Sequence, residues 1–138
     1  MHYDLSFSVF DKWLTADESD TFILSIHDVK SLNNYLQLQK FELNYLKLFT
    51  NLKDLFQLQY VDMGTLKLID NLQFNFLFRE ISNHILKDQE KLFLIPKEQV
   101  FIMLSFDFNI YLYFIGDLEC KLKDIFEKNE FHILPLNS

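Results

Sequence analysis

The chain is poor in the residues that bend a backbone: Gly64, Gly116, Pro96 and Pro135 are the only glycines and prolines in 138 residues. Two glycines cannot build a phosphate-cradling loop. No GxGxxG, GxxxxGK, GxSxG or HExxH pattern occurs either, which argues against nucleotide-dependent chemistry. Turns must fall to Asn, Asp and Ser, whose short side chains bond their own backbone. A single cysteine, Cys120, leaves no intrachain disulfide and no cysteine-based metal cluster, so a reducing, cytoplasmic location is the expectation. Arg79 is the only arginine, and 13 basic residues against 20 acidic ones leave a net charge of −7. Direct nucleic-acid binding needs clustered Lys and Arg to neutralise phosphates, and no such cluster is present. The longest apolar run, Val100 to Ile115, is broken by Ser105, Asp107 and Asn109 and falls short of the roughly 18 uninterrupted residues of a membrane span. The first residues carry Asp4 and no basic segment leading into an apolar one, unlike a secretory signal.

What the chain does have is apolar and aromatic mass. Hydrophobic residues make up 49% of it and aromatics 17%, with 16 Phe, which excludes the disordered class. The length suits one globular domain over residues 1–138. So much Phe and Leu in a small chain suggests that some apolar surface meets a partner or a second copy, and a homodimer is compatible with it.

The expected fold class is α+β: an antiparallel sheet containing a C-terminal hairpin, packed against three to four helices. Leu5, Phe7 and Val9 alternate with Ser6 and Ser8 as in a half-buried strand, and Thr21–Ile26 reads as a second. A helix begins after Asp28, taken as its N-cap. Lys40–Phe49 is ambiguous, but the longer periodic match places a helix over Asn44–Leu58. Gly64 marks a break, with a short strand at Leu66–Ile69. Phe74, Leu77, Phe78, Ile81, Ile85 and Leu86 then fall on one face of an amphipathic helix. The segment before Pro96 reads as an edge strand. Val100–Phe106 and Ile110–Ile115 form the clearest hairpin, with Asn109 suited to a positive φ and Gly116 closing the second strand. Asp117 is a plausible cap for a helix over Leu118–Lys128, and the FHIL segment a last strand.

Asp107 with Glu119 and Lys121 matches the loose D…ExK spacing of a nuclease superfamily, in which the acids would hold a divalent metal. A hairpin tip and a helix start separated by a six-residue strand, roughly 20 Å, are too far apart for ligands of one ion. His2, His27, His84 and His132 share no metal-ligand spacing. Cys120 lacks a nucleophile signature, and Tyr111, Tyr113 and Phe114 lack the interleaved basic residues of a base-stacking platform. No catalytic residue, metal site or cofactor is expected, and the chain does not read as an enzyme.

Charge asymmetry is the remaining signal. Residues 1–28 hold six acids against Lys12 alone. Asp11, Asp17, Glu18 and Asp20, beside Trp13, have the composition of a surface that captures a basic protein. In general character the chain resembles the small, acidic, single-domain immunity proteins that neutralise bacterial nuclease toxins. That resemblance implies stoichiometric inhibition of a basic toxin domain, with acids steering the encounter and aromatics anchoring it. The alternatives are a dimeric chaperone for secreted effectors, a phage-encoded nucleic-acid mimic, whose charge density would have to be higher, and the metal nuclease.

Overall fold

The structure is a computed structural model, and it describes residues 5–10, 26–116, 118 and 120–134. The strand expected over Thr21–Ile26 lies outside these residues except for Ile26, which opens a single 3-10 turn, Ile26–Asp28. The cap expected at Asp117 lies outside them as well.

The first helix, α1 (Leu32–Leu55), starts at Ser31, whose Oγ accepts the Asn34 amide at 3.1 Å. Asp28 is therefore not its N-cap: the short turn already uses that residue, and Ser31 satisfies the orphan donor. The helix runs unbroken through Lys40–Phe49, because Tyr45, Leu48, Phe49 and Leu52 bury one face at helical spacing. It ends three residues before the expected Leu58, where Phe56 turns extended and its amide bonds the Leu52 carbonyl at 2.9 Å.

The remaining described elements are strands β1 (Leu5–Ser8), β2 (Gln59–Asp62), β3 (Lys67–Ile69), β4 (Lys91–Ile95), β5 (Val100–Leu104), β6 (Asn109–Phe114) and β7 (His132–Leu134), with helices α2 (Phe74–Lys87) and α3 (Cys120–Lys128). The strands form one seven-stranded sheet in the order β3-β2-β4-β5-β6-β1-β7, every neighbouring pair antiparallel. The described residues thus make an α+β fold with three α-helices, in line with the expected class. β4 is not an edge strand: it lies between β2 and β5, and Pro96 sits beyond its end in the turn to β5.

Strand register assigns the faces. Phe93, Ile102 and Leu112 stand opposite one another on β4, β5 and β6, and Phe7 faces Ile110. All three helices pack on this face. Phe49 of α1 meets Phe93 at 4.5 Å, Phe76 of α2 meets Tyr60 at 5.2 Å, and Phe126 of α3 stacks on Phe7 at 4.3 Å. The other face carries Leu92, Leu94, Phe101, Met103, Tyr111 and Tyr113, each half-buried. β1 departs from its expected half-exposed pattern, since Ser6 and Ser8 are buried along with Phe7.

Candidate functional site

Antiparallel register collects the turns at two opposite ends of the sheet. At one end lie the β2–β3 turn, the loop between α2 and β4, the β5–β6 hairpin tip and the exit of β1 at Phe10, one residue before Asp11. This end is acidic. Burial, then the neighbouring carboxylates of Asp88 and Asp28, holds the Asp107 carboxyl above the usual carboxylate range, so these three acids crowd together. Glu90 joins them, accepting the Ser105 hydroxyl at 3.1 Å. Lys30 and Lys87 flank the group on the exposed side.

The tip of the β5–β6 hairpin is built to present an aromatic. Phe106–Phe108 form the loop, and the Ser105 amide bonds the Asn109 carbonyl at 2.9 Å to close it. Asp107 and Phe108 both take the left-handed conformation, at φ 60° and 59°, whereas Asn109, expected to do so, is extended at −93°. The reason is packing. Turning Phe108 inward seats its ring 4.8 Å from Phe41 and 6.5 Å from Tyr45, and that burial offsets the cost of two non-glycine residues with positive φ. Phe106, next to Asp107 in the loop, is 47% exposed.

Two buried polar contacts hold the acidic loop between α2 and β4. His84 donates from Nδ1 to the Gln89 carbonyl at 2.7 Å, fixing the segment between Asp88 and Glu90. One residue on, Lys91 bonds Glu80 at 3.2 Å, with both side chains about nine-tenths buried, and also reaches the Tyr60 hydroxyl. Burial pushes the His84 imidazole down to about 4, opposed by its bond to Gln89 and by Asp88 and assisted by Lys91, so it is neutral at pH 7. The nearby Tyr45 hydroxyl is buried without a hydrogen-bond partner, and burial raises its pKa far above the ordinary value.

The β2–β3 turn lies at the same end, roughly 10–15 Å from the tip by strand spacing. Asp62 accepts the Gly64 and Thr65 amides at 3.0 and 3.3 Å, and the turn presents Met63 and Leu66, both exposed.

The opposite end carries two open clefts on either side of Phe56 and Gln57, of about 280 and 480 Å³. Lys97 and Lys121 line the larger one together with Asp54 and Glu98, so its charges are mixed. This places Lys121 beyond the far end of β6 from Asp107, with Glu119 outside the described residues. Among the described residues no group of three or more His, Cys, Asp or Glu side chains is placed to hold a metal ion. Cys120 is exposed.

Asp11, Trp13, Asp17, Glu18 and Asp20, the expected partner-binding residues, all lie outside the described residues. The acids that the structure does gather, Asp28, Asp88, Glu90 and Asp107, come from segments far apart in sequence. A signal for part of this grouping exists: counting pairs outward from the Pro96 turn places Glu90 opposite Ser105, next to the hairpin tip. No helix among the described residues is long and apolar enough to cross a membrane. No protein-family model, curated protein or solved structure matches the chain.

Proposed function

We propose that the chain is a protein-binding inhibitor module, an immunity protein that neutralises a basic bacterial toxin domain, such as a nuclease effector, by direct stoichiometric binding in the cytoplasm. The observation that carries this reading is the exposed Phe106 ring on the hairpin tip that also holds Asp107, whose carboxyl is crowded by those of Asp88 and Asp28, with the tip clamped to the core by Phe108. An aromatic anchor that loses its water on binding, beside a group of like charges, is an arrangement that protein hot spots use. The charges raise the association rate and the anchor slows dissociation. Holding the tip in place before binding reduces the entropy lost on association. Residues 1–138 act as one unit, and the acids from Asp11 to Asp20 add to its negative charge.

The test is co-expression with basic bacterial toxin domains, nuclease effectors first. Wild-type chain protects growth and co-purifies with the toxin in equimolar amounts, and Phe106→Ala weakens the complex by about 2 kcal/mol, roughly thirtyfold. Failure of both protection and co-purification defeats the proposal.

A further inference from the structure

Among the described residues, eight of the fourteen exposed large apolar side chains belong to α1 and α2, which concentrates apolar exposure on one helix pair. The first half of α1 is the extreme case. Between Leu32 and Leu43 only Leu38 is fully buried, while Leu32, Leu36 and Leu43 are 72%, 52% and 49% exposed. These three leucines fall at spacings of four and seven, one stripe along the helix. Lys40 and Lys47 continue the stripe, each one turn beyond a leucine. On α2, Phe78 and Leu86 are also exposed.

Charge on this helix pair runs against that of the molecule. α1 and α2 hold five basic residues and three acids. Two of the three acids are engaged: Glu80 is buried with Lys91, and Glu42 is half-buried and bonded to Ser82. Asp54, near the C-terminal end of α1, is the one acid left fully exposed on these two helices, against exposed Lys40, Lys47, Lys53, Arg79 and Lys87. A chain of net charge −7 therefore presents a basic, leucine-striped helical face.

We infer that the outer face of α1 and α2 is a docking surface for an acidic amphipathic helix of a partner protein. Apolar residues of that helix at i, i+3 or i+4 and i+7 would cover Leu32, Leu36 and Leu43, and its flanking carboxylates would meet Lys40 and Lys47. A second copy fits poorly, since it would press basic faces together with only Asp54, near the far end of α1, to offset them. An anionic bilayer shares the charge preference, but an extended surface also meets the rest of this net-negative chain. A single helix, about 10 Å across, meets only the basic strip. The Leu32 end of this surface adjoins the acidic loop end, because Asp28 lies just before α1 and Phe41 packs on Phe108 at the hairpin tip, so the carboxylates of the bound helix would meet Lys40 and Lys47 and face away from Asp28.

The probe is a labelled synthetic helix of about 20 residues, with leucines on one stripe and glutamates beside it, read by fluorescence anisotropy. Its isomer with lysine in place of glutamate and phosphatidylcholine vesicles with or without phosphatidylglycerol complete the set. The acidic peptide binds at least about tenfold more tightly than the basic one. Leu36→Gln with Leu43→Gln, both exposed positions, weakens it by about tenfold or more. Lys40→Glu with Lys47→Glu inverts the preference, which keeps the test decisive if the leucine variant fails to fold. Equal binding of the two peptides, binding unmoved by both double variants, binding only to phosphatidylglycerol vesicles, or self-association through these leucines would each overturn the inference.

Discussion

Acidification attacks the support of the acidic loop through His84. In the fold this imidazole is buried, its Nδ1 proton committed to the Gln89 carbonyl at 2.7 Å and its ring 5.4 Å from Tyr45. Burial holds its pKa near 4, whereas an unfolded histidine titrates near 6.5. Between those values the unfolded chain takes up a proton that the folded chain refuses, so stability falls as pH falls through that window. The limiting slope is about 1.4 kcal/mol per pH unit, which amounts to about 2 kcal/mol lost between about pH 7 and pH 5. Asp107 and Glu42 act in the opposite sense, because their raised pKa values return stability on acidification, and they do so nearer the carboxylate range. The assay is urea unfolding across the window for wild type and His84→Asn, whose amide can still donate to Gln89. The variant is less stable at neutral pH because of the cavity it leaves, and its stability changes far less between the two pH values. A wild-type profile that stays flat, or an identical slope in the variant, would refute the reasoning.

Three further outcomes follow from the same contacts. Tyr45→Phe removes a buried, unpartnered hydroxyl and raises stability by about 1 kcal/mol in denaturant unfolding; a comparable loss would show that the hydroxyl has a partner. Glu80→Gln strands the Lys91 ammonium and costs about 3 kcal/mol, while adding Lys91→Met to it recovers most of that loss. A double variant no better than the single one would contradict the buried-pair account. Asp107→Asn relieves repulsion from Asp88 and Asp28 and suits a φ of 60°, so thermal melting shows stability unchanged or raised by on the order of 0.5 kcal/mol. The same variant weakens binding to the basic partner, a divergence that a purely structural aspartate would not produce.

The central part of this fold is legible in the sequence because its strands are apolar runs of strand length bounded by turn residues. β4, β5 and β6 are short, nearly continuous apolar runs set off by polar residues, and the hairpin between β5 and β6 carries Ser105, Asp107 and Asn109 at its tip. α2 is legible from its helical spacing, although Phe74, Phe78 and Leu86 on its apolar stripe are exposed: periodicity reports a face, not what covers it. β2 escapes detection because only Tyr60 and Val61 are apolar in a strand of four residues. The start of α1 depends on one side-chain bond from Ser31, and Asp28 is as good a cap by residue type. At the hairpin tip residue preference points to Asn109, while the burial of Phe108 moves the left-handed conformation to Asp107 and Phe108. The candidate site is the least legible part. Asp28, Asp88 and Asp107 meet only because the turns of three separate segments converge at one end of the sheet.

The most direct test of the proposed function is the affinity of the purified chain for a basic toxin domain against which it protects growth, by calorimetry at low and physiological salt, for wild type and for Asp88→Asn with Asp107→Asn. The account predicts an equimolar complex that weakens steeply with salt and loses affinity by about ten- to a hundredfold in the double variant, with the fold intact. No complex, or one indifferent to salt and to both substitutions, would contradict it.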